Sequence, residues 1–335
     1  MTDPARQTTS SSAALAALGS AYQTWACSAR YHREAIDRST RWSLRLAVGG
    51  AIAAAIGEQI APLARSLPRL PWLQWLPWAH RALGVAGAGA IALAAYLSRQ
   101  AQTEDQEGLW TRCRAAAETL KSALFVCRAA VAPFAGPERA ARIREQIDRV
   151  GHEMAGIEPR QPAGPAGPAG PAGDDAAPRL DLLDVDVYRT ERVANQIAWY
   201  RQRALAHQRS ADRCRSWTGW LMGISALLAV ASADDLLSAW APVVAAVTVS
   251  LTAHLKGQRY QSLIAIYTAT ALRLQSLDGE WLDSGKTDHD TAERDAFIRR
   301  CEETLATENG AWFALRSKKM DHDLPAPAEP GGASA

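Results

Sequence analysis

The chain has 335 residues, a formal net charge of +2 and 48% hydrophobic content. Such a near-neutral balance speaks against a nucleic-acid binder, which shows a basic excess on one face. The five scattered cysteines lack the close pairs of a zinc site and are expected to be reduced, cytoplasmic thiols.

Residues 1–12 are rich in Ser, Thr and Ala and read as a flexible tail, without the long apolar core of a cleaved signal peptide. A helical stretch from Ala13 to Trp42 follows, with Tyr22, Trp25, Tyr31 and Ile36 among charged residues. Ser43–Ala61 and Ala82–Ser98 are apolar enough for two membrane spans, since about 20 mostly apolar residues cross a bilayer and about 17 are tolerated. Their connection holds Pro62, Pro68, Pro71 and Pro77 and has Trp72, Trp75 and Trp78 at steps of three. Tryptophan favours the headgroup layer, so this loop is expected on the membrane surface. Polar helices are predicted from Glu104 to about Ala130 and from Pro137 to Met154, the latter with Ile143, Ile147, Val150 and Met154 on one face. They complete a first unit, residues 13–155.

Residues 156–179 form a linker, because the Pro-Ala-Gly run from Pro162 to Gly173 cannot bury a core and is too short for a collagen helix. The second unit, residues 180–318, opens with an amphipathic helix from Leu180 to Arg215. Ser216–Ser232 and Leu236–Leu255 carry no Asp, Glu, Lys or Arg and are separated only by Ala233, Asp234 and Asp235, which reads as a tight hairpin of two spans. A helix from Lys256 to about Leu282 returns. The closing helix, Thr291–Ser317, places Ile298, Cys301, Leu305, Glu308, Trp312 and Leu315 at alternating steps of three and four, a coiled-coil-like seam. Residues 319–335 read as a second flexible tail.

Both halves repeat one order of elements, which indicates an internal duplication. The expected fold is an all-α membrane protein of two tandem units, each a two-transmembrane helical hairpin with long amphipathic cytoplasmic helices. Arg201, Arg203, Arg209, Arg213 and Arg215 precede the second hairpin and Lys256 and Arg259 follow it, whereas its turn holds Asp234 and Asp235. Basic residues stay inside. Both termini are therefore expected in the cytoplasm, with both hairpins crossing the membrane.

Thr218, Ser225 and Ser232 align on one span of the second hairpin, and Thr248 and Thr252 on the other. Such hydroxyls can line a water path or bond between packed helices. Glu58 is the only acidic residue in a span, which makes it a functional candidate, although it lies close enough to the span's end to reach the interface. Gly50, Ala54, Gly57, Gly84, Gly87 and Ala88 read as packing positions, His254 as interfacial, and Glu308 as a buried, hydrogen-bonded register residue. Asp288-His289-Asp290 and Asp321-His322-Asp323 resemble metal ligands, yet neighbouring side chains in one polar loop rarely close a site. Neither is expected to hold metal. Phosphate-loop, hydrolase-elbow, metalloprotease and dinucleotide fingerprints are missing from the sequence, so neither an enzyme nor a cofactor is expected.

Arg192, Gln196, Trp199, Tyr200 and Ala204 before a two-span hairpin, with Leu305, Glu308 and Trp312 in the closing helix, resemble the SLATT family. These are SMODS- and SLOG-associating two-transmembrane effector domains of bacterial conflict systems. The resemblance covers residues 187–317 well and residues 22–154 more loosely, as two tandem copies would. It implies a membrane effector that oligomerises into a pore when a separate nucleotide-sensing or nucleotide-synthesising partner is triggered. A membrane-anchored scaffold without pore activity is the alternative. Lipid and further copies of the chain are the other expected partners, and nucleic acid is not one.

Overall fold

A computed structural model describes residues 4–66, 76–101, 104–161, 181–230 and 260–322, with isolated residues between 240 and 252. All regular structure among the described residues is helical. Helix α1 spans Pro4–Ser66, α2 Leu76–Ala101, α3 Glu104–Arg128 and α4 Arg139–Glu153. After the linker come α5, Val185–Tyr188, a π-helical turn at Arg189–Ala194, and α6, Asn195–Val230. Two more helices follow, α7 at Tyr260–Asp283 and α8 at Thr291–His322.

The amphipathic stretch and first apolar stretch predicted from the sequence are one uninterrupted helix, α1, of 63 residues. At 1.5 Å per residue that is about 95 Å, three times a bilayer core. Nothing between Trp42 and Ser43 breaks a helix. The chain also turns helical at Pro4, ahead of Ala13, because proline's fixed φ suits a first helical turn. Ala14, Leu15 and Leu18 are buried, and Arg144 on α4 donates to the Ser10 hydroxyl at 3.1 Å. Part of the expected flexible tail is thus tied to α4.

The C-terminal half of α1 and α2 form a helical hairpin held by glycine. A Cβ at Gly50 would lie 2.8 Å from the Gly87 carbonyl oxygen, and a Cβ at Gly87 would lie 2.8 Å from that of Gly50. Only glycine lets these backbones meet so closely. The Ser43 hydroxyl donates to the Ala94 carbonyl at 2.9 Å, and a His80 ring nitrogen donates to that of Gly57 at 2.8 Å. Outward, Val85, Leu93 and Tyr96 are exposed. Among the described residues, Trp78–Gln100 is the one helical segment long and apolar enough to cross a membrane. Ser43–Ala61 lies within α1 and includes Arg45 and Glu58. The Trp72 and Trp75 loop and most of Leu236–Leu255 lie outside the described residues.

Away from their apolar stretches, both units share one hydrophobic core. Leu18 and Trp25 of α1, Leu120 and Leu124 of α3, Ile143 and Val150 of α4, Tyr188 and Val193, Leu274 and Trp281 of α7, and Ile298 and Leu305 of α8 belong to the same buried cluster. Of the positions predicted to form a seam on α8, Ile298, Cys301, Leu305 and Glu308 are all buried. Both ends of the linker are fastened to this core. Near its start, the Arg160 amide donates to the Ser28 hydroxyl at 2.8 Å, and the Arg160 guanidinium lies 3.4 Å from the Tyr31 ring centre. After it, the Leu183 amide donates to the Arg128 carbonyl at 3.0 Å.

Candidate functional site

The second unit begins with a helix start built twice over. Asp184 caps α5 by accepting from the Val187 amide at 2.7 Å, while Asp288 from the α7–α8 loop accepts from the Val185 amide at 3.1 Å. These carboxylates satisfy amides that have no partner inside the helix. Asp290 likewise accepts from the Thr287 amide at 2.9 Å. Backbone amides thus occupy the aspartates that resemble metal ligands in the sequence. Asp321-His322-Asp323 has its side chains outside the described ones.

Two residues four apart, Tyr188 and Arg192, converge across the π-helical turn on Glu302 of α8. Arg192 Nε and Nη2 donate to the two Glu302 oxygens at 3.0 and 2.9 Å, and the Tyr188 hydroxyl adds a third bond at 2.9 Å. Arg192 is 2% exposed and Glu302 6%. A paired fork of this kind is the strong form of a charge-assisted bond. Burial works against the Arg192 charge, but Glu302 outweighs it and holds the guanidinium protonated. Burial pushes the Tyr188 hydroxyl far above its usual range, so it stays a donor. Three residues earlier in the turn, Arg189 grips Asp278 of α7 at 2.7 and 3.3 Å.

Six residues further along α8 lies a second buried carboxylate. Glu308 is 3% exposed, accepts from the Tyr200 hydroxyl at 3.1 Å, and faces Arg114 of α3 at 3.8 Å. Burial raises its pKa, Arg114 lowers it, nearby Glu118 raises it and the Tyr200 hydroxyl lowers it; burial wins. Tyr200 also packs on Tyr267 and, edge-on, on Trp199. A file of rings, Phe125, Tyr188, Phe297 and Trp281, runs from α3 through α5 and α8 to α7. The Arg192 guanidinium lies over the Phe125 ring at 4.8 Å. The closing helix is therefore clamped to the helix that becomes α6 and to the first unit at once.

The structure brings together Arg192, Tyr200, Leu305 and Glu308, and it buries Ala204. Gln196 and Trp199 are half-buried, and the Trp312 side chain lies outside the described ones. Glu302, Tyr188, Asp278 and Arg114 were not singled out in the sequence. A signal existed for Glu302: it adjoins the seam position Cys301, and a buried motif arginine requires a carboxylate.

α6 carries this clamp outward without a break, through the boundary expected at Arg215. Ala211 is its last buried position among the described side chains; beyond it Trp217, Trp220, Met222, Leu227 and Val230 are exposed. Thr218, Thr248 and Thr252 are half-buried, and each hydroxyl donates to the carbonyl four residues back, at 2.9, 2.7 and 2.8 Å. Such bonds satisfy the hydroxyl hydrogen where water is absent and leave the oxygen lone pairs available. Ser225 is half-buried, Ser232 lies outside the described residues, and Glu58 is exposed on α1.

Residues 188–312 match the family model described as SMODS and SLOG-associating 2TM effector domain 1. That segment starts at Tyr188 and encloses Arg192, Glu302 and the stretch expected from the sequence to form the second hairpin. Residues 23–142 match the model of a protein of unknown function, DUF4231. No curated protein and no solved structure matches the chain. The first match supports a SLATT domain and a general role as a membrane effector.

Proposed function

We propose that the chain is an inner-membrane effector of a bacterial conflict system that oligomerises, when triggered, into a pore through its second hairpin. The reading rests on the SLATT match over 188–312, where a buried ionic clamp leads directly into an exposed apolar helix. Both units are tandem copies of one plan, both hairpins cross the bilayer, and both termini are cytoplasmic. A separate nucleotide-sensing or nucleotide-synthesising protein supplies the trigger. The clamp has the geometry to transmit it, because α8 holds α3, α5 and α7 together at the base of α6, so any partner that shifts α8 also shifts α6.

Purified protein in liposomes tests this: triggered vesicles should release a trapped dye or carry current. A membrane scaffold is favoured by one observation, that the threonine hydroxyls bond their own helices, as in plain helix packing. Oligomers that stay silent with the trigger supplied would select the scaffold.

A further inference from the structure

Arginine gathers where the apolar stretches begin. Residues 38–45 of α1 and 209–215 of α6 hold six arginines, Arg38, Arg41, Arg45, Arg209, Arg213 and Arg215, against one acidic residue, Asp212. All six are exposed. Asp212 faces Arg215 at 3.4 Å, and Asp37, just before the α1 group, is held by Arg33 at 3.1 Å. Arg38, Arg209 and Arg213 have no ion-pair or hydrogen-bond partner among the described residues. Trp42 and Trp217 are exposed within and just after these groups. The Arg45 guanidinium lies over the Trp42 ring at 5.5 Å, so it leans back toward the rest of its group.

The groups stand at one level. His207 of α6 packs on Tyr260 of α7 with ring centres 5.7 Å apart. Burial lowers the His207 pKa, Arg203 adds to this, and so does Arg33 of α1. Burial raises that of Tyr260, Cys214 of α6 adds to this, Arg33 opposes it and Asp37 of α1 adds again. Charges fade beyond about a Debye length, roughly 8–10 Å, so the 33–37 segment of α1 stands beside the 207–214 segment of α6. A further arginine joins from α2. Ser43 meets Ala94, Gly50 meets Gly87 and Gly57 meets His80, so each step along α1 is matched by one step back along α2. That register brings the exposed Arg99 level with Arg38.

Arginine without a matching carboxylate calls for an anion, and its planar fork fits phosphate oxygens. Single guanidiniums spread over three helices at one level fit a sheet of headgroups rather than one compact ligand, and tryptophan beside them favours the headgroup layer. A zwitterionic headgroup brings its own cation, so lipid of net negative charge fits best. We propose that this belt binds the headgroups of anionic phospholipid and fastens both units to the same leaflet. The proposal rests on the membrane reading above and is independent of whether the hairpins conduct.

The test is electron paramagnetic resonance of the full chain in phosphatidylcholine vesicles at low salt, with trace spin-labelled phosphatidylglycerol or phosphatidylcholine. Lipid held by the protein shows as a slowed component. Phosphatidylglycerol should be preferred there by about fivefold, the ratio set by one guanidinium–anion contact near a membrane surface. The preference should fall toward one in about 1 M salt, where charges are screened within ~3 Å. Arg38→Gln with Arg41→Gln and Arg45→Gln, or Arg209→Gln with Arg213→Gln and Arg215→Gln, should each lower it. Arg142→Gln with Arg149→Gln on α4 should not. Should a triple variant misfold, the salt series on the parent chain gives the result. A slowed component without headgroup preference, a preference that survives high salt, or an equal loss in the α4 variant would overturn the belt and leave the membrane reading in place. Absence of any slowed component would contradict both.

Discussion

The two units are held together at opposite ends. In the first, the tightest contact is in the hairpin, where Gly50 and Gly87 bring α1 and α2 into backbone contact. In the second, the specific contacts lie away from the apolar stretch, where Glu302 and Glu308 are buried and paired, while past Ala211 α6 carries exposed Trp217, Trp220 and Leu227. Exposed apolar side chains of this kind offer surface to lipid or to other copies. On the proposed pore reading, this contrast gives the first hairpin a supporting role and the second the conducting one.

Breaking the clamp should have the largest effect. Removing one partner of a buried pair strands the other's charge, so Glu302→Ala or Arg192→Ala should cost ~3–5 kcal/mol, seen as an early thermal transition in detergent. Gly50→Val attacks the other end. Its side chain would meet the Gly87 carbonyl and the Ala90 and Ile91 side chains, and overpacking of this sort costs ~1–3 kcal/mol. If the supporting role is right, triggered dye release should persist in whatever Gly50→Val protein remains folded.

Smaller still in stability is the pair Thr248→Leu with Thr252→Leu, which keeps the segment apolar and removes polar oxygens from any water path. Membrane levels should be unchanged while dye release falls; conductance that survives this change but is lost in Glu58→Gln would reverse the assignment of the hairpins. The mildest change is Glu308→Gln. Because the folded chain holds the Glu308 proton more tightly than the unfolded chain, its contribution is full below the ordinary carboxylate range. It is lost as pH rises through the raised pKa. An amide does not ionise, so the melting temperature of the variant should gain on the parent from acid to neutral pH; a constant difference would mean that Glu308 is not held protonated.

Much of this was legible in the sequence because it is local. Helix boundaries from Glu104 to Arg128 and from Arg139 to Glu153 follow apolar periodicity, and the buried place of Glu308 follows from the α8 seam. What escaped is set by distant partners. Nothing in the local pattern tells Glu302 from its exposed neighbour Glu303, because the difference lies 110 residues away at Arg192. The shared core escaped for the same reason: Phe125 meets Tyr188 across a linker that reads as a clean boundary. The unbroken course of α1 was visible as the lack of a helix breaker, but hydropathy drew attention to Ser43 instead.

Membrane crossing by the second hairpin is the central claim, and its topology tests it most directly. A cysteine in place of Asp235, in the predicted outer turn, should react with a membrane-impermeant thiol reagent in intact bacterial cells, whereas a cysteine in place of Ala169 in the Pro-Ala-Gly linker should react only after lysis. Labelling of the linker in intact cells, with the turn protected, would contradict the account.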